Sequence, residues 1–376
     1  MNPRLPRCGK GFPVGFTPER FARVVLSHER WWRGELDRPL VHIFLTGARD
    51  PGPPPEPYHP AWTAFYGFET PVETIIAGWE HSLSGLEFMG DAFPHVWPNF
   101  GPGVAAAMLG AKLKLSVDAR TVWFEPDREC EPAERRFVFD SDNAWLGRVG
   151  DIAAAADARW GGSVQIGMTD LGGNLDILSS FRPSETLLLD IYDAPGEVKR
   201  LTWELHECWL RLFEHLNRKT PHNPGWTCHA PILSKEPYYM LQCDFAYMIG
   251  PGMFGEFVLP EIAATAMRLS RAFYHLDGVG QLPHLDALLA LPALKGVQWV
   301  PGSGEPEKRD WTHVYRRILD AGKLAQATHM DLDGFDRLCG ELGNGGRGLF
   351  FFAWLPASMR GRAEAFCAKY RIPQQG

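Results

Sequence analysis

Residues 272–302, AFYHLDGVGQLPHLDALLALPALKGVQWVPG, decide the expected fold. They contain two apolar runs, and each run ends abruptly in polar or turn-forming residues. The first run ends in HLDG at 275–278, and the second ends in PG at 301–302. Between them lies a short segment of helical character. Apolar strands joined through helices are typical of a parallel sheet covered by helices, so we interpret the two runs as neighbouring strands whose ends face a substrate.

The same alternation of apolar strands and amphipathic helices continues through the chain. Strands are predicted at 38–45, 121–126, 163–170, 238–245, 272–278, 296–302, 326–332 and 347–354. Helices are predicted at 17–36, 71–89, 142–160, 196–219, 251–270, 307–323, 334–342 and 357–370. This number of repeating units favours a closed (β/α)₈ TIM barrel, and the first strand lacks the glycine-rich fingerprint of a dinucleotide-binding fold. We therefore predict an α/β protein with an N-terminal helical extension over 1–37 and one barrel domain over 38–376.

Composition and charge exclude several classes of protein. The chain of 376 residues is 45% hydrophobic and carries a formal net charge of -7, which argues against a nucleic-acid surface. It contains no apolar run of the length that a membrane span needs, and its first residues lack the apolar core of a secretory signal. The 7 cysteines are scattered without a CxxC pair, as expected for reduced thiols in a cytoplasmic protein.

Candidate site residues follow several predicted strands at the point where the strand ends. In (β/α)₈ barrels the active site is built at the carboxyl ends of the strands. Residues two apart on a strand point to the same face, so His275 and Asp277 are expected to face the mouth of the barrel together. The loop at 90–103, GDAFPHVWPNFGPG, adds polar and aromatic groups that are costly to order without a purpose. The predicted catalytic residues are Asp91, Asp244, His275 and Asp277, and the predicted substrate-binding residues are His95, Trp97, Asn99, Asp170, Trp299 and His329.

Four motifs together resemble the uroporphyrinogen decarboxylase superfamily. These are GDAFP with GPG and LG after it, CDFAYMIGPGMFGEFVLPEI, YHLDG and GVQWVPG. The resemblance extends over about 29–366 and is strongest over 238–302, where G-P-x-x-F-x-E-F-V-L-P is a specific signature. It implies a (β/α)₈ barrel of a superfamily that also contains cobalamin-dependent and coenzyme M methyltransferases, and it suggests a homodimer.

The resemblance does not extend to the motif of true uroporphyrinogen decarboxylases. Those enzymes carry M-R-Q-A-G-R after the first strand, whereas this chain reads PLVHIFLTGARD and offers only Arg49 in place of the two arginines. The zinc-dependent methyltransferases of the superfamily carry H-x-C at the position of YHLDG. Here His275 matches the histidine and Asp277 replaces the cysteine. The resemblance thus leaves room for a harder His/Asp metal site at His275 and Asp277, completed by Asp244 or by another group at a strand end, which zinc would still accept.

Three functions are compatible with this pattern. The first is a methyltransferase that moves a methyl group from a small O- or N-methylated substrate to a corrinoid carried by a partner protein. The second is a decarboxylase or lyase acting on a small carboxylic acid or a tetrapyrrole, in which Arg49 or Arg182 binds the carboxylate and Asp91 shuttles the proton. The third is a non-catalytic binder of a corrinoid or tetrapyrrole. Bound metal would favour the first function, and a basic carboxylate clamp would favour the second.

Overall fold

The computed structural model describes residues 16–116, 121–302 and 310–373. Residues 1–15 of the predicted extension and 307–309 of a predicted helix lie outside these ranges. The strands are β1 (Leu40–Thr46), β2 (Leu86–Gly90), β3 (His95–Val96), β4 (Lys112–Ser116), β5 (Thr121–Glu125), β6 (Gln165–Ile166), β7 (Tyr238–Gln242), β8 (Arg271–Asp277), β9 (Leu294–Val300), β10 (Leu324–Ala327) and β11 (Leu349–Pro356). The helices are α1 (Pro18–Trp32), α2 (Val72–Ser84), α3 (Ala105–Met108), α4 (Ala144–Trp160), α5 (Asn174–Phe181), α6 (Ser184–Asp193), α7 (Pro195–Asn217), α8 (Pro251–Met253), α9 (Leu259–Arg268), α10 (Leu285–Leu289), α11 (Thr312–Asp320), α12 (Leu332–Leu342) and α13 (Arg360–Lys369).

A central, mostly parallel sheet organises the chain. Its strand order is β2-β1-β11-β10-β9-β8-β7, and every neighbouring pair is parallel except β2 with β1. The strands are nearly continuous apolar runs because helices cover them, as parallel sheets require. In the described ranges, no helix is long and apolar enough to cross a membrane.

The predicted closed barrel is observed only in part. A second parallel pair, β3 with β6, carries the ladder of hydrogen bonds for two residues on each strand. The Met168 N–H then donates to the Thr227 carbonyl at 2.8 Å, outside any regular strand. Because these strands are so short, the hydrogen-bonded ladder does not close into a ring within the described residues. The arrangement is compatible with a TIM barrel. The strand predicted at 121–126 is β5, which forms a separate hairpin with β4. The helix predicted at 71–89 ends at Ser84 as α2, and strand β2 follows it.

Helix α1 packs against the amino ends of the parallel strands. The indoles of Trp31 and Trp32 both contact the ring of Phe273, which lies two residues before His275 on β8. The carboxylate of Glu29 binds the guanidinium of Arg271, the first residue of β8, with N–O distances of 2.5 and 2.7 Å. The helix therefore covers the end of the sheet opposite to Asp277.

A buried ion pair secures the same end of the sheet. The Arg38 guanidinium binds the Asp91 carboxylate through two hydrogen bonds of 2.6 and 2.8 Å. The Val41 N–H, at the start of β1, also donates to Asp91 at 3.2 Å, and both members of the pair are buried. Asp91 follows β2, which runs antiparallel to β1, so it returns to the amino end of the parallel strands. The pair ties this end of β1 to the end of β2.

We expect Asp91→Ala to lower the free energy of unfolding by about 3–5 kcal/mol, because the Arg38 charge would remain buried without its partner. Urea denaturation followed by circular dichroism measures the change. The double variant Arg38→Met with Asp91→Leu should recover much of this loss, since it removes both charges. Wild-type stability in Asp91→Ala would contradict the structural role of the pair.

Candidate active site

Three polar side chains converge at the carboxyl ends of two neighbouring strands. His275 and Asp277 share one face of β8 because strand side chains alternate. Asp244 begins a 3₁₀ turn directly after the adjacent strand β7. One donor atom from each residue lies within 4.8 Å of the others, and His275 Nε2 is 3.8 Å from Asp277 Oδ2. We refer to Asp244, His275 and Asp277 as the Asp-His-Asp cluster.

The His275 ring is oriented by an amide on the next strand. His275 and Gln298 are register partners on β8 and β9, and His275 Nδ1 is hydrogen-bonded to Gln298 Oε1. The Gln298 Nε2 group donates in turn to Gln326 Oε1 at 2.8 Å. Because an amide oxygen only accepts, His275 Nδ1 carries the proton in this arrangement. The Nε2 atom faces the carboxylates of the cluster.

Asp176 holds the backbone at Asp244. Its carboxylate accepts the Asp244 N–H at 3.0 Å and the Phe245 N–H at 2.8 Å. Asp176 lies in the first turn of α5, where the helix dipole also favours a carboxylate. Helix α5 comes this close only because Gly173 precedes it, since a Cβ there would lie 2.1 Å from the Gln242 carbonyl oxygen.

Negative charge is concentrated around the cluster, on carboxylates that range from the buried Asp170 to the exposed Asp244. Burial raises the pKa of Asp170 to about 6. Burial, together with the Asp244 charge, raises the pKa of Asp176 to about 7. The Asp244 side chain is exposed in an open cleft, although the surrounding protein displaces part of its hydration shell. This desolvation and the charges of Asp277 and Asp170 raise the pKa of Asp244 to about 7. This end of the sheet thus favours the binding of cations or, in their absence, the protonation of its carboxylates.

An open cleft adjoins the cluster on the side of Asp244. Its polar lining includes Gln242 and three serines of the α5–α6 region. The apolar wall comes from Trp123 and Phe124 of the β4–β5 hairpin and from Met248. The Trp123 indole is 64% exposed, so the cleft offers a free aromatic surface. No Lys or Arg is among its lining residues in the described part of the chain.

Two of the predicted substrate-binding residues lie near the cluster. Asp170 is buried beside it and interacts electrostatically with His275. The Trp97 indole lies 5.8 Å from the His229 ring, which lies 6.1 Å from the His275 ring. Burial and the neighbouring His275 lower the pKa of His229 to about 3, so this ring is neutral.

Three other predicted residues are placed elsewhere. Asp91 binds Arg38 at the opposite end of the sheet, because strand β2 returns antiparallel to β1. Trp299 is fully buried and packs on Trp311 at 5.1 Å, because alternation along β9 turns it away from the face that carries Gln298. The Asn99 side chain has a structural role. It donates a hydrogen bond to the Ala61 carbonyl and accepts one from the Gly101 N–H.

The last two predicted residues also have other surroundings. His95 packs between Phe44 and Phe93 at 5.7 and 5.3 Å, and burial lowers its pKa to about 4. His329 is exposed just after β10 with a φ of 55°, in the left-handed region, and its Nδ1 bonds the Thr328 hydroxyl at 3.0 Å. Neither residue is part of the Asp-His-Asp cluster.

Sequence reasoning missed Asp176, His229 and Gln298. Gln298 was detectable, because it is a polar residue inside an apolar strand and stands one position before the predicted Trp299. Asp176 and His229 gave no such signal. Asp176 reaches Asp244 across 68 residues, and His229 lies in a segment without regular structure.

Comparisons with known proteins show a similar fold. A methyltransferase from Methanosarcina mazei matches with a TM-score of 0.61 and 14% sequence identity, covering 93% of this chain and 98% of that one. No protein-family model matches the chain, and no curated protein matches it either. The match supports a mixed α/β architecture shared along nearly the whole length.

We expect the metal-free protein to lose stability as the pH rises from about 5 to about 7.5, in part through Asp170. Its pKa is raised in the folded state, so its contribution is complete below the unfolded pKa and is lost as the pH rises through about 6. In Asp170→Asn this part of the loss, about 1 kcal/mol, should disappear. Chemical denaturation in the presence of a chelator measures it. Asp320→Asn, at an exposed carboxylate, controls for the loss of one charge. Identical pH dependence in wild type and Asp170→Asn would contradict the raised pKa.

Proposed function

We propose that the protein is a methyltransferase that moves a methyl group from a small O- or N-methylated substrate to a corrinoid on a partner protein. The observation that carries the proposal is the Asp-His-Asp cluster at the carboxyl ends of β7 and β8, beside an open cleft with an aromatic wall. This is the end of the strands at which barrel enzymes build their active sites. The fold shared with a methyltransferase, and the motifs that resemble the uroporphyrinogen decarboxylase superfamily, support the same reading.

The residues of the cluster fit a divalent metal ion. Tetrahedral zinc with bonds of about 2.0–2.2 Å holds neighbouring donor atoms about 3.3 Å apart. His275 Nε2 and Asp277 Oδ2 are already 3.8 Å apart, so a shift of about half an ångström suffices for this pair. The second oxygen of the same carboxylate, Asp277 Oδ1, is buried without a hydrogen-bond partner in the described residues, so hydrogen bonds satisfy this carboxylate incompletely. Bound zinc would supply a Lewis acid that polarises the oxygen or nitrogen carrying the methyl group.

The protein's own residues would select and orient the substrate. Trp123 and Phe124 present ring surfaces on one side of the cleft, and Asp176 and Asp244 present carboxylates on the other. A neutral methylated amine or a methoxyl group bound between them could turn the lone pair of its nitrogen or oxygen toward the metal ligands. Aromatic faces and carboxylates together attract cationic groups, so methylated amines, which are protonated in water, would also be concentrated in the cleft.

A decarboxylase has less support from the same site. It would need a basic group to hold the substrate carboxylate. The Arg182 guanidinium forms two hydrogen bonds with the Asp190 carboxylate, at 2.6 and 3.0 Å, and it also contacts Glu131. Arg49 lies on an exposed turn after β1 and contributes no lining to the cleft. A non-catalytic corrinoid binder would not need the buried hydrogen-bond relay that orients His275.

We expect the purified protein, supplied with zinc, to bind one ion per chain and to lose most of it in His275→Ala and in Asp277→Ala. Elemental analysis after gel filtration measures the stoichiometry.

Both variants should also lose methyl transfer by at least about a hundredfold, since a Lewis acid contributes several kcal/mol to such a step. The assay follows the loss of cob(I)alamin absorbance with methanol, a methoxyphenol or trimethylamine as donor.

His313→Ala is the matched control, because this histidine is exposed on α11 and is not a member of the cluster. It should keep both zinc and activity. Absence of zinc from every preparation, or equal zinc in wild type and both cluster variants, would overturn the metal site. Release of carbon dioxide from a small acid without methyl transfer would favour the decarboxylase.

A further inference from the structure

We propose that Gln298, held in turn by Gln326, is a positioning residue that fixes the tautomer of His275 and keeps its Nε2 free of a proton. The consequence for metal binding rests on the proposed function. The tautomer itself is a property of the metal-free protein, so the two can be tested separately.

Parallel register brings the three side chains into one row. His275 on β8 is paired with Gln298 on β9, and Gln298 is paired with Gln326 on β10. The neighbours of Gln298 along its strand, Val297 and Trp299, are fully buried on the other face. Gln298 is only 6% exposed and Gln326 is fully buried, so water has little access to replace their hydrogen bonds.

Two opposing groups act on the His275 ring. The Asp277 carboxylate, 3.8 Å from Nε2, favours a proton on that nitrogen, which would block its lone pair. The Gln298 carbonyl oxygen favours the proton on Nδ1, with which it is hydrogen-bonded. Histidines that bind metals are generally oriented by such a bond from their other ring nitrogen.

Gln326 accepts a hydrogen bond from the NH₂ end of the Gln298 amide. Gln298 Nε2 donates to Gln326 Oε1 at 2.8 Å, which leaves the Gln298 oxygen for His275. A reversed amide would present its NH₂ group to Nδ1. The proton of the neutral ring would then sit on Nε2, and His275 could not serve as a ligand through that atom. The hydrogen bonds from Gln326 through Gln298 therefore favour the proton on Nδ1, against the effect of Asp277, and leave Nε2 available to a metal.

The test is ¹⁵N NMR of the metal-free protein labelled at histidine, with the His275 signals assigned by their absence in His275→Gln. We expect the proton on Nδ1 in the wild type and on Nε2 in Gln298→Met. Gln298→Glu should restore the Nδ1 proton, because a carboxylate oxygen also accepts. Gln326→Met is a second variant that does not touch the histidine, and it should shift the tautomer in the same direction as Gln298→Met.

Zinc affinity, measured by competition with a chromophoric chelator, should fall about 10- to 100-fold in Gln298→Met and Gln326→Met. It should stay near the wild-type value in Gln165→Met, whose buried amide bonds only the Ile166 and Gly225 carbonyls. A proton on Nε2 in the wild type, or an unchanged tautomer in both methionine variants, would overturn the proposal. A tautomer that depends on Gln298 in a protein that binds no zinc would uphold the relay and refute the metal-dependent function.

Discussion

Parallel register combined with the two-residue alternation of strands is the constraint on which the site depends. It points His275, Gln298 and Gln326 to one face and sends Trp299 to the other. It also sets Asp277 beyond His275 at the same end of the sheet. A shift of one residue in any of these strands would bury the polar groups against helices. The covering helix α1 at the opposite end keeps this register by tying the first residue of β8 to Glu29.

Negative charge is the dominant property of the Asp-His-Asp cluster and its surroundings. Asp170, Asp176, Asp244 and Asp277 lie around one histidine, and desolvation raises the pKa of the first three of them. Keeping so many carboxylates together costs free energy unless a cation or protons compensate them. Asp277 Oδ2 and His275 Nε2, 3.8 Å apart, are the atoms best placed to receive a cation. A site of this kind is costly for stability, which favours a functional purpose for it.

The sequence predicted the parts of the site that follow from local pattern. His275, Asp277 and Asp244 stand at the ends of apolar runs, and their meeting follows from strand adjacency alone. Trp299 was misplaced because the end of a run does not reveal which face a side chain takes. Asp91 was misplaced because a single short strand, β2, returns antiparallel to β1. The closed ring of eight strands was expected from the count of elements, but β3 and β6 are too short for the ladder to be continuous.

Metal binding by the Asp-His-Asp cluster is tested most directly by anomalous X-ray diffraction from zinc-soaked crystals. Data are collected on both sides of the zinc absorption edge. We predict an anomalous peak within bonding distance of His275 Nε2, with a carboxylate oxygen of Asp277 and one of Asp244 completing the protein ligands. The His275 Nδ1 atom should stay hydrogen-bonded to Gln298. A map without a peak between these three side chains, or with zinc only at other carboxylates, would contradict the metal site and the function proposed from it.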